Sequence, residues 1–433
     1  MLPDGMLGAV VGSESLGLSE TMVNGAGGCR SRSQILIHEL LPSYEREDPG
    51  CCRSKYFSRQ SRLPCTYLNN NDIVFGSGHK VSEGIGSVAS VTGRRMTLVD
   101  TLASSLICTD YSGLTGRAGS DPIMLEGDLS GMGFGDGYDL AVSSILEASH
   151  LDGGEDGSVN LLGYSIADPG WESGCMELRS LLGAMGLRAN IVGCREPLDS
   201  LGKASVNVLV RPEMSGRTAA SIGRMYGIGS IRLTMGAPVG YDATRSFVRE
   251  VAEATGRDPT PALDMIDRDA EQVHRVLMNF DRLPMGLHSK GFVIESGSST
   301  AYPLMRWLHE TFGMAPRRIS VTDDAYVPEM EGFLDSIGYP EAMSGGSGEV
   351  EMVFTDGLSA LEGRIRNDGK GYVEVGMPRG RTLDLLGRCT IGLRGCRYLL
   401  DEMFNTAMRF RCGQPTEVDY RPCCGDGARG GDQ

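Results

Sequence analysis

Twelve cysteines are spread along the 433 residues, and five of them, Cys29, Cys51, Cys52, Cys65 and Cys108, precede residue 110. The stretch NGAGGCRSRS, residues 24–33, places Cys29 directly behind a run of small residues. Cys108 ends the run RMTLVDTLASSLIC, which reads as one strong strand. A glycine-rich turn and the C-terminal end of a strand are both places where ligands collect in α/β folds. Thiols on separate segments suit an iron–sulfur cluster, because a cluster is larger than a single ion and is often held from several loops. Such a cluster needs small neighbours, so that backbone N–H groups reach its sulfides, and Gly27 and Gly28 beside Cys29 meet that demand. The residue types alone leave a second reading open, in which these thiols are buried small hydrophobes and the glycines form a tight turn.

Other chemistries lack their signatures. No GxxxxGK[ST] segment is present to cradle ATP, and neither GMGFGDG nor GIGSIR completes a dinucleotide fingerprint between a strand and a helix. There is no HExxH and no zinc-ribbon CxxC pair. His274 and His309 lie in helical patterns and read as surface or core residues rather than ligands. With 41 basic against 56 acidic residues the net charge is −15, which argues against a nucleic-acid partner. A local exception is CCRSKYFSRQSR, residues 51–62, where Arg53, Lys55, Arg59 and Arg62 stand without an acid. It reads equally as a solvated face or as a docking or anion-binding surface. No apolar run is long enough to span a bilayer, and MLPDGMLGAVVGSES has no basic n-region, so no membrane association is expected and a cytoplasmic location is. In a reducing compartment a disulfide framework is not expected.

From residue 158 onward, short β-rich runs alternate with helical patterns. SVNLLGYS, LRANIVG, ASVNVLVRP and SIRLTMG read as strands, with WESGCMELRSLLGAMG and segments near 213–226 and 241–256 as helices. TPALDMIDRDAEQVHRVLMNF reads as a linker helix. A second series follows: strands in KGFVIESG, RRISVTD, EVEMVFTD and GYVEVG, with helices in STAYPLMRWLHETFG and near 327–337. Such alternation implies doubly wound parallel sheets with right-handed crossovers. The first 150 residues carry fewer clean periods. The segment after Cys412 is expected to be disordered.

Several stretches together resemble the nitrogenase component 1 family, most closely its β-type subunits. LGLSETMVNGAGGCRSR is similar to the family segment in which a Gly-Cys follows a TMxxxHG stretch. YFSRQSRLPCTYLNNNDIVFGSGHKVSEGI resembles the Arg-rich stretch, the Pro-x-Cys, and the DIVFGG strand with its helix. LICTDYSGLTGRAGSD is similar to the later cluster-ligand turn. VNLLGYSIADPGWESGCMELRSLLGAMGL and MGAPVGYDATRSFVREVAEATG resemble segments of the next domain. The likeness runs over most of the chain, in order and spacing more than in any single motif.

The resemblance implies an α/β fold of three Rossmann-like, doubly wound parallel-sheet domains, here 1–150, 151–285 and 286–412, with 413–433 as a tail. It implies a component 1 partner subunit, in a homo- or hetero-oligomer, and an iron–sulfur cluster, [4Fe-4S] or a larger P-cluster-like form, bridging the subunits. Electrons would come from a separate ATP-using iron protein. By residue, Cys29 and Cys108 match two bridging-cluster ligands. The position of the family's first ligand cysteine holds Asp4, a carboxylate candidate, while Cys51, Cys52 and Cys65 are thiol alternatives. The usual family histidine before the Gly-Cys is Asn24, and Cys389 and Cys396 read as structural. Three functions remain in view: a redox subunit of a nitrogenase-like reductase, a scaffold for assembling a nitrogenase-type metallocofactor, and a small-molecule-binding protein without a cluster.

Overall fold

The computed structural model describes residues 4–41, 63–108, 111, 121–125, 128–149, 151–154, 156–279, 286–377, 379–380 and 384–411. The helices in chain order are α1 (Gly5–Leu16), α2 (Gly27–Leu40), α3 (Asn70–Phe75), α4 (Gly78–Thr92), α5 (Leu102–Ile107), α6 (Phe134–Ser149), α7 (Trp171–Ala184), α8 (Gly216–Tyr226), α9 (Tyr241–Thr255), α10 (Thr260–Met278), α11 (Ser298–Phe312), α12 (Val327–Ile337), α13 (Gly357–Arg366) and α14 (Gly392–Arg411). The strands are β1 (Glu20–Asn24), β2 (Met96–Asp100), β3 (Ile123–Met124), β4 (Ser158–Leu162), β5 (Arg188–Ile191), β6 (Val206–Leu209), β7 (Ser230–Arg232), β8 (Gly291–Ser296), β9 (Ala315–Val321), β10 (Met352–Asp356) and β11 (Gly371–Gly376).

These strands form three parallel sheets, in the orders β1-β2-β3, β5-β4-β6-β7 and β11-β10-β8-β9. The last two are doubly wound: the chain leaves β4 or β8 for one side and returns to pair on the other. Alternate residues of β4 serve different cores. Val159 and Leu161 belong to the buried core that continues to Phe292, Ile294 and Phe354 of the third sheet, while Leu162 belongs to the core shared with the first domain. An amide ladder fixes the register of the second sheet. Asn190 Nδ2 donates to Asn160 Oδ1 (2.9 Å), Asn160 Nδ2 to Asn207 Oδ1 (2.9 Å), and Asn207 Nδ2 to Ser230 Oγ (3.3 Å). A one-residue slip would leave those buried amides unpaired.

The first domain opens on a helix and departs from its sequence reading in two later places. The apolar run near residue 10 is α1, a helix whose twelve residues are all buried; Asp4 caps its start and Gly17, at φ 64°, ends it. Gly5, Gly8 and Gly12 bring α1 against α6; a Cβ on Gly8 would lie 2.0 Å from Phe134 O, and one on Gly137 2.0 Å from Gly5 O. The expected DIVF strand is instead the short helix α3. Asn69 and Asp72 form a capping box there, and Lys80 donates to Asp72 (2.7 Å), holding that carboxyl below the usual range. The run RMTLVDTLASSLIC is also not one strand. It breaks after Asp100, where Thr101 and Ser104 form a capping box and open α5, so Cys108 is the left-handed cap of a helix (φ 49°).

The 260–280 segment is helical as read, but α10 is packed rather than free: Ala262 and Ile266 are buried and Asp269 pairs with Arg397 of α14. Cys175, Cys194, Cys389 and Cys396 are buried core thiols. No helix among the described residues is long and apolar enough to cross a membrane. The basic segment 51–62, with Cys51 and Cys52, and the tail 413–433 lie outside the described residues.

Replacing Gly8 with Val should force α1 and α6 apart and cost about 3 kcal/mol or more. Gly28→Ala, where an added Cβ meets nothing within 4 Å, should stay within about 0.5 kcal/mol of the parent. Thermal unfolding of both variants checks the contrast, and equal melting temperatures would contradict it.

Candidate functional site

The C-terminal ends of β1 and β2 carry polar residues in register, Asn24 opposite Asp100. Asn24 is fully buried and is the centre of a hydrogen-bond hub. Its carbonyl oxygen accepts from Thr101 N (3.2 Å), Thr101 Oγ1 (2.9 Å) and Ser104 Oγ (2.8 Å). Its side-chain amide donates to Asp100 Oδ1 (3.0 Å) and Tyr111 OH (2.7 Å), and its Oδ1 accepts from Thr66 Oγ1 (2.9 Å). Tyr111 in turn donates to Asp100 (2.6 Å).

Each partner belongs to a segment that bears a thiol. Thr66 follows Cys65, while Asp100, Thr101, Ser104 and Tyr111 flank Cys108. Asn24 itself lies five positions before Cys29. The segment around Cys65 runs beside β1: Val23 N donates to Pro64 O (2.9 Å), Thr66 N to Val23 O (3.2 Å) and Leu68 N to Gly25 O (2.9 Å). The glycines of the run differ in their surroundings. Gly25 is the crowded position, where a Cβ would lie 2.5 Å from Thr101 Cγ2. Gly27 and Gly28 already belong to the first turn of α2. Its N-cap, Ala26, offers no side-chain acceptor, and Gly28 borders open space. A helix end of this kind favours anionic groups.

Cys29 is half-buried in that first turn, and it and Cys65 pack against the same buried core. Cys65 donates to Gly25 O (3.2 Å), and burial pushes its thiol up. Cys108 is exposed, with its Sγ 3.5 Å from Ser105 O. Asp4 reaches the same face of α2 by another route. Its Oδ1 caps α1 through Leu7 N (3.0 Å), and its Oδ2 pairs with Arg32 (2.7 Å), one helical turn beyond Cys29. Both oxygens of Asp4 therefore have protein partners already. The structure seats Cys29 and Cys65 against one core and links Asp4 to α2. Among the described residues no three Cys, His, Asp or Glu side chains converge as a closed metal site.

Exposed apolar side chains surround the thiol-bearing segments. Helices α3 and α5 lie against each other and carry Ile73, Val74 and Phe75, and Leu102 and Leu106, with Tyr67 shortly before α3; Phe75 is 84% and Leu106 76% exposed. The sequence reading passed over the Asn24 hub. The signal was present, since ETMVN and MTLVD both end an apolar run on a polar side chain that can donate or accept.

Asn24→Leu keeps the branching and heavy-atom count but leaves Asp100, Thr66 and Tyr111 without their amide partner. The expected cost is about 2–4 kcal/mol, with faster alkylation of Cys29 and Cys65 as their segments loosen. Thermal unfolding and timed thiol labelling check this, and unchanged rates would show that the hub does not hold the thiols.

Known proteins carry the same architecture. Two solved structures, of nitrogenase Cp1 at pH 6.5 and at pH 5, superpose on this chain with TM-scores of 0.73 and 0.61. They cover 95% and 94% of it, and 93% and 90% of their own chains, at 15% and 14% identity, a likeness of fold alone. The B subunit of the light-independent protochlorophyllide reductase of Rhodopseudomonas palustris (strain TIE-1) is 34% identical over 114 residues, 25% of this chain and 21% of that protein. Its counterpart in Rhodospirillum rubrum is 35% identical over 108 residues, 24% of this chain and 19% of that protein. The match thus spans about a fifth of the length of these curated relatives. The family model for nitrogenase component 1 type oxidoreductases matches residues 21–408, and the chain belongs to that family.

Proposed function

We propose that this chain is the iron–sulfur subunit of a nitrogenase-like reductase, working beside a second component 1 subunit in a cytoplasmic setting. The observation that carries the reading is the gathering of three thiol-bearing segments by Asn24 at one sheet edge, in a chain of this family. The residues present fit a cluster. Cys29 and Cys65 are free thiols beside the open first turn of α2, and Cys108 is a free, exposed thiol. Cys29 and Cys108 would hold the cluster, with a third ligand drawn from Asp4, Cys51, Cys52 or Cys65. When bound, the cluster supplies one-electron redox chemistry at low potential.

Among the described residues too few ligands converge to close such a site, which supports completion by a partner subunit. The apolar surface formed by Tyr67, Ile73, Val74, Phe75, Leu102 and Leu106 supports the same partner, since a patch of this kind marks an interface. The electron donor is a separate iron protein that hydrolyses ATP. The substrate is reduced in or beside the partner subunit.

Anaerobic purification should yield iron and acid-labile sulfide in an oligomer larger than the 46.4 kDa chain. Cys29→Ala and Cys108→Ala should each lose most of the iron; full retention in both would refute the ligand assignment. Rapid mixing with the reduced cognate iron protein should reduce the cluster only with MgATP, and less readily at high salt. Equal transfer without MgATP would refute the donor. A loaded cluster that accepts no electrons would assign the chain to cofactor assembly instead.

A further inference from the structure

Glu213 lies in the short turn Pro212–Met214 between β6 and α8, where the second domain meets the start of α11 in the third. Its Oε1 accepts a hydrogen bond across the junction from Ser299 Oγ (2.5 Å), while its Oε2 is buried with no hydrogen-bond partner. A bare, buried carboxylate oxygen is costly, whereas a neutral carboxyl group in that place is much less so.

The charges around Glu213 come from every element packed on it. Arg211, on its own connection, is already paired with Asp168 from the loop after β4. Tyr164, from the same loop, has a buried hydroxyl without a hydrogen bond. Asp323 follows β9 and caps α11 through Ser298 N (2.9 Å) and Ser298 Oγ. Tyr326 stands beside it, with Arg232 4.0 Å over its ring and Glu329 paired to Arg232. From α6 only the backbone presses in, at Gly135, where a Cβ would lie 2.6 Å from Glu213 O. One guanidinium, Arg211, therefore faces three carboxyl groups, Asp168, Glu213 and Asp323.

We infer that Glu213 is a proton-binding latch between the second and third domains, neutral while its turn is closed on α11 and ionised when the two part. Burial, reinforced by Asp323, pushes its carboxyl up to about 7. The sign follows from linkage. A carboxyl raised in the closed state favours closure at low pH and loses that contribution as pH rises from its open value, 4.5, through about 7. Between pH 6 and pH 8 the opening equilibrium should grow about tenfold. The inference stands apart from any cluster.

The test is hydrogen exchange of the full chain at pH 6 and pH 8, read in peptides covering Pro212–Met214 and the start of α11 and corrected for the intrinsic pH dependence of exchange. The parent should show the roughly tenfold loss of protection. E213Q, an uncharged mimic of the protonated acid, should show none. A flat parent profile, or the same slope in E213Q, would overturn the latch. Should E213Q fail to fold, infrared difference spectra of the parent decide: a carboxylic-acid band lost with a midpoint near 7 supports it, and no such band between pH 5 and 8 overturns it.

Discussion

Helices α1 and α6 pack backbone against backbone, and much of the first domain hangs on that contact. Backbones meet there because glycines stand on both sides, Gly5, Gly8 and Gly12 against Gly137 and the carbonyls of Phe134 and Tyr138. Helices usually keep 8–10 Å between axes because side chains intervene; removing them allows a nearer approach and dense dispersion contact. With α1 seated so deeply, its polar residues need partners. Glu14 accepts from Thr21 Oγ1 (2.7 Å) and Arg195 lies 3.4 Å from it. Those contacts tie α1 to β1 on one side and to the second domain on the other. Asp4 at its start holds α2 through Arg32, so the packing of α1 also sets where Cys29 sits.

The domains are joined by carboxylates that cap one another's helices. Asp139 of α6 accepts from Arg217 N (2.6 Å), Thr218 N (2.9 Å) and Thr218 Oγ1 (2.6 Å) at the start of α8. Glu177 of α7 accepts from Leu393 N (2.8 Å) at the start of α14. Glu213 reaches Ser299 at the start of α11. A helix N-terminus offers unpaired N–H groups and a partial positive charge, which offset the desolvation of a carboxylate. The compensation is incomplete, since burial pushes the carboxyls of Asp139 and Glu177 upward as it does that of Glu213. Glu213 differs in bonding only a hydroxyl and keeping one oxygen bare.

The site edge is organised on the opposite principle. There the buried group is neutral, and every polar atom of Asn24 other than its own N–H serves as a bridge between segments. The thiols themselves are left with weak partners, a carbonyl for Cys65 and a long contact for Cys108. Rigid supports with lightly bonded sulfurs leave the thiols free to engage a larger group, as the proposed cluster would require. The exposed apolar residues Tyr67, Ile73, Val74, Phe75, Leu102 and Leu106 belong to the same segments as Cys65 and Cys108.

The sequence by itself determined the alternating parallel architecture from residue 158 onward. There the strands are short, apolar and β-branched, and the helices keep a clean period, so local pattern and burial agree. It also marked Cys29 and Cys108, by their place in an ordered series of motifs. Three things were decided only by tertiary structure. The DIVF run is apolar and β-branched, but a capping box at Asn69 and the pull of Lys80 on Asp72 make it helical and turn Ile73, Val74 and Phe75 outward. The RMTLVDTLASSLIC run is continuous in hydropathy, yet Thr101 and Ser104 must satisfy the carbonyl of Asn24, and that demand bends the chain away before Cys108. The need for glycine before Cys29 was visible, but its cause was not: only packing against Thr101 shows that Gly25 is the position a side chain cannot occupy. The last two outcomes join residues more than seventy positions apart, a separation over which local propensity carries no information.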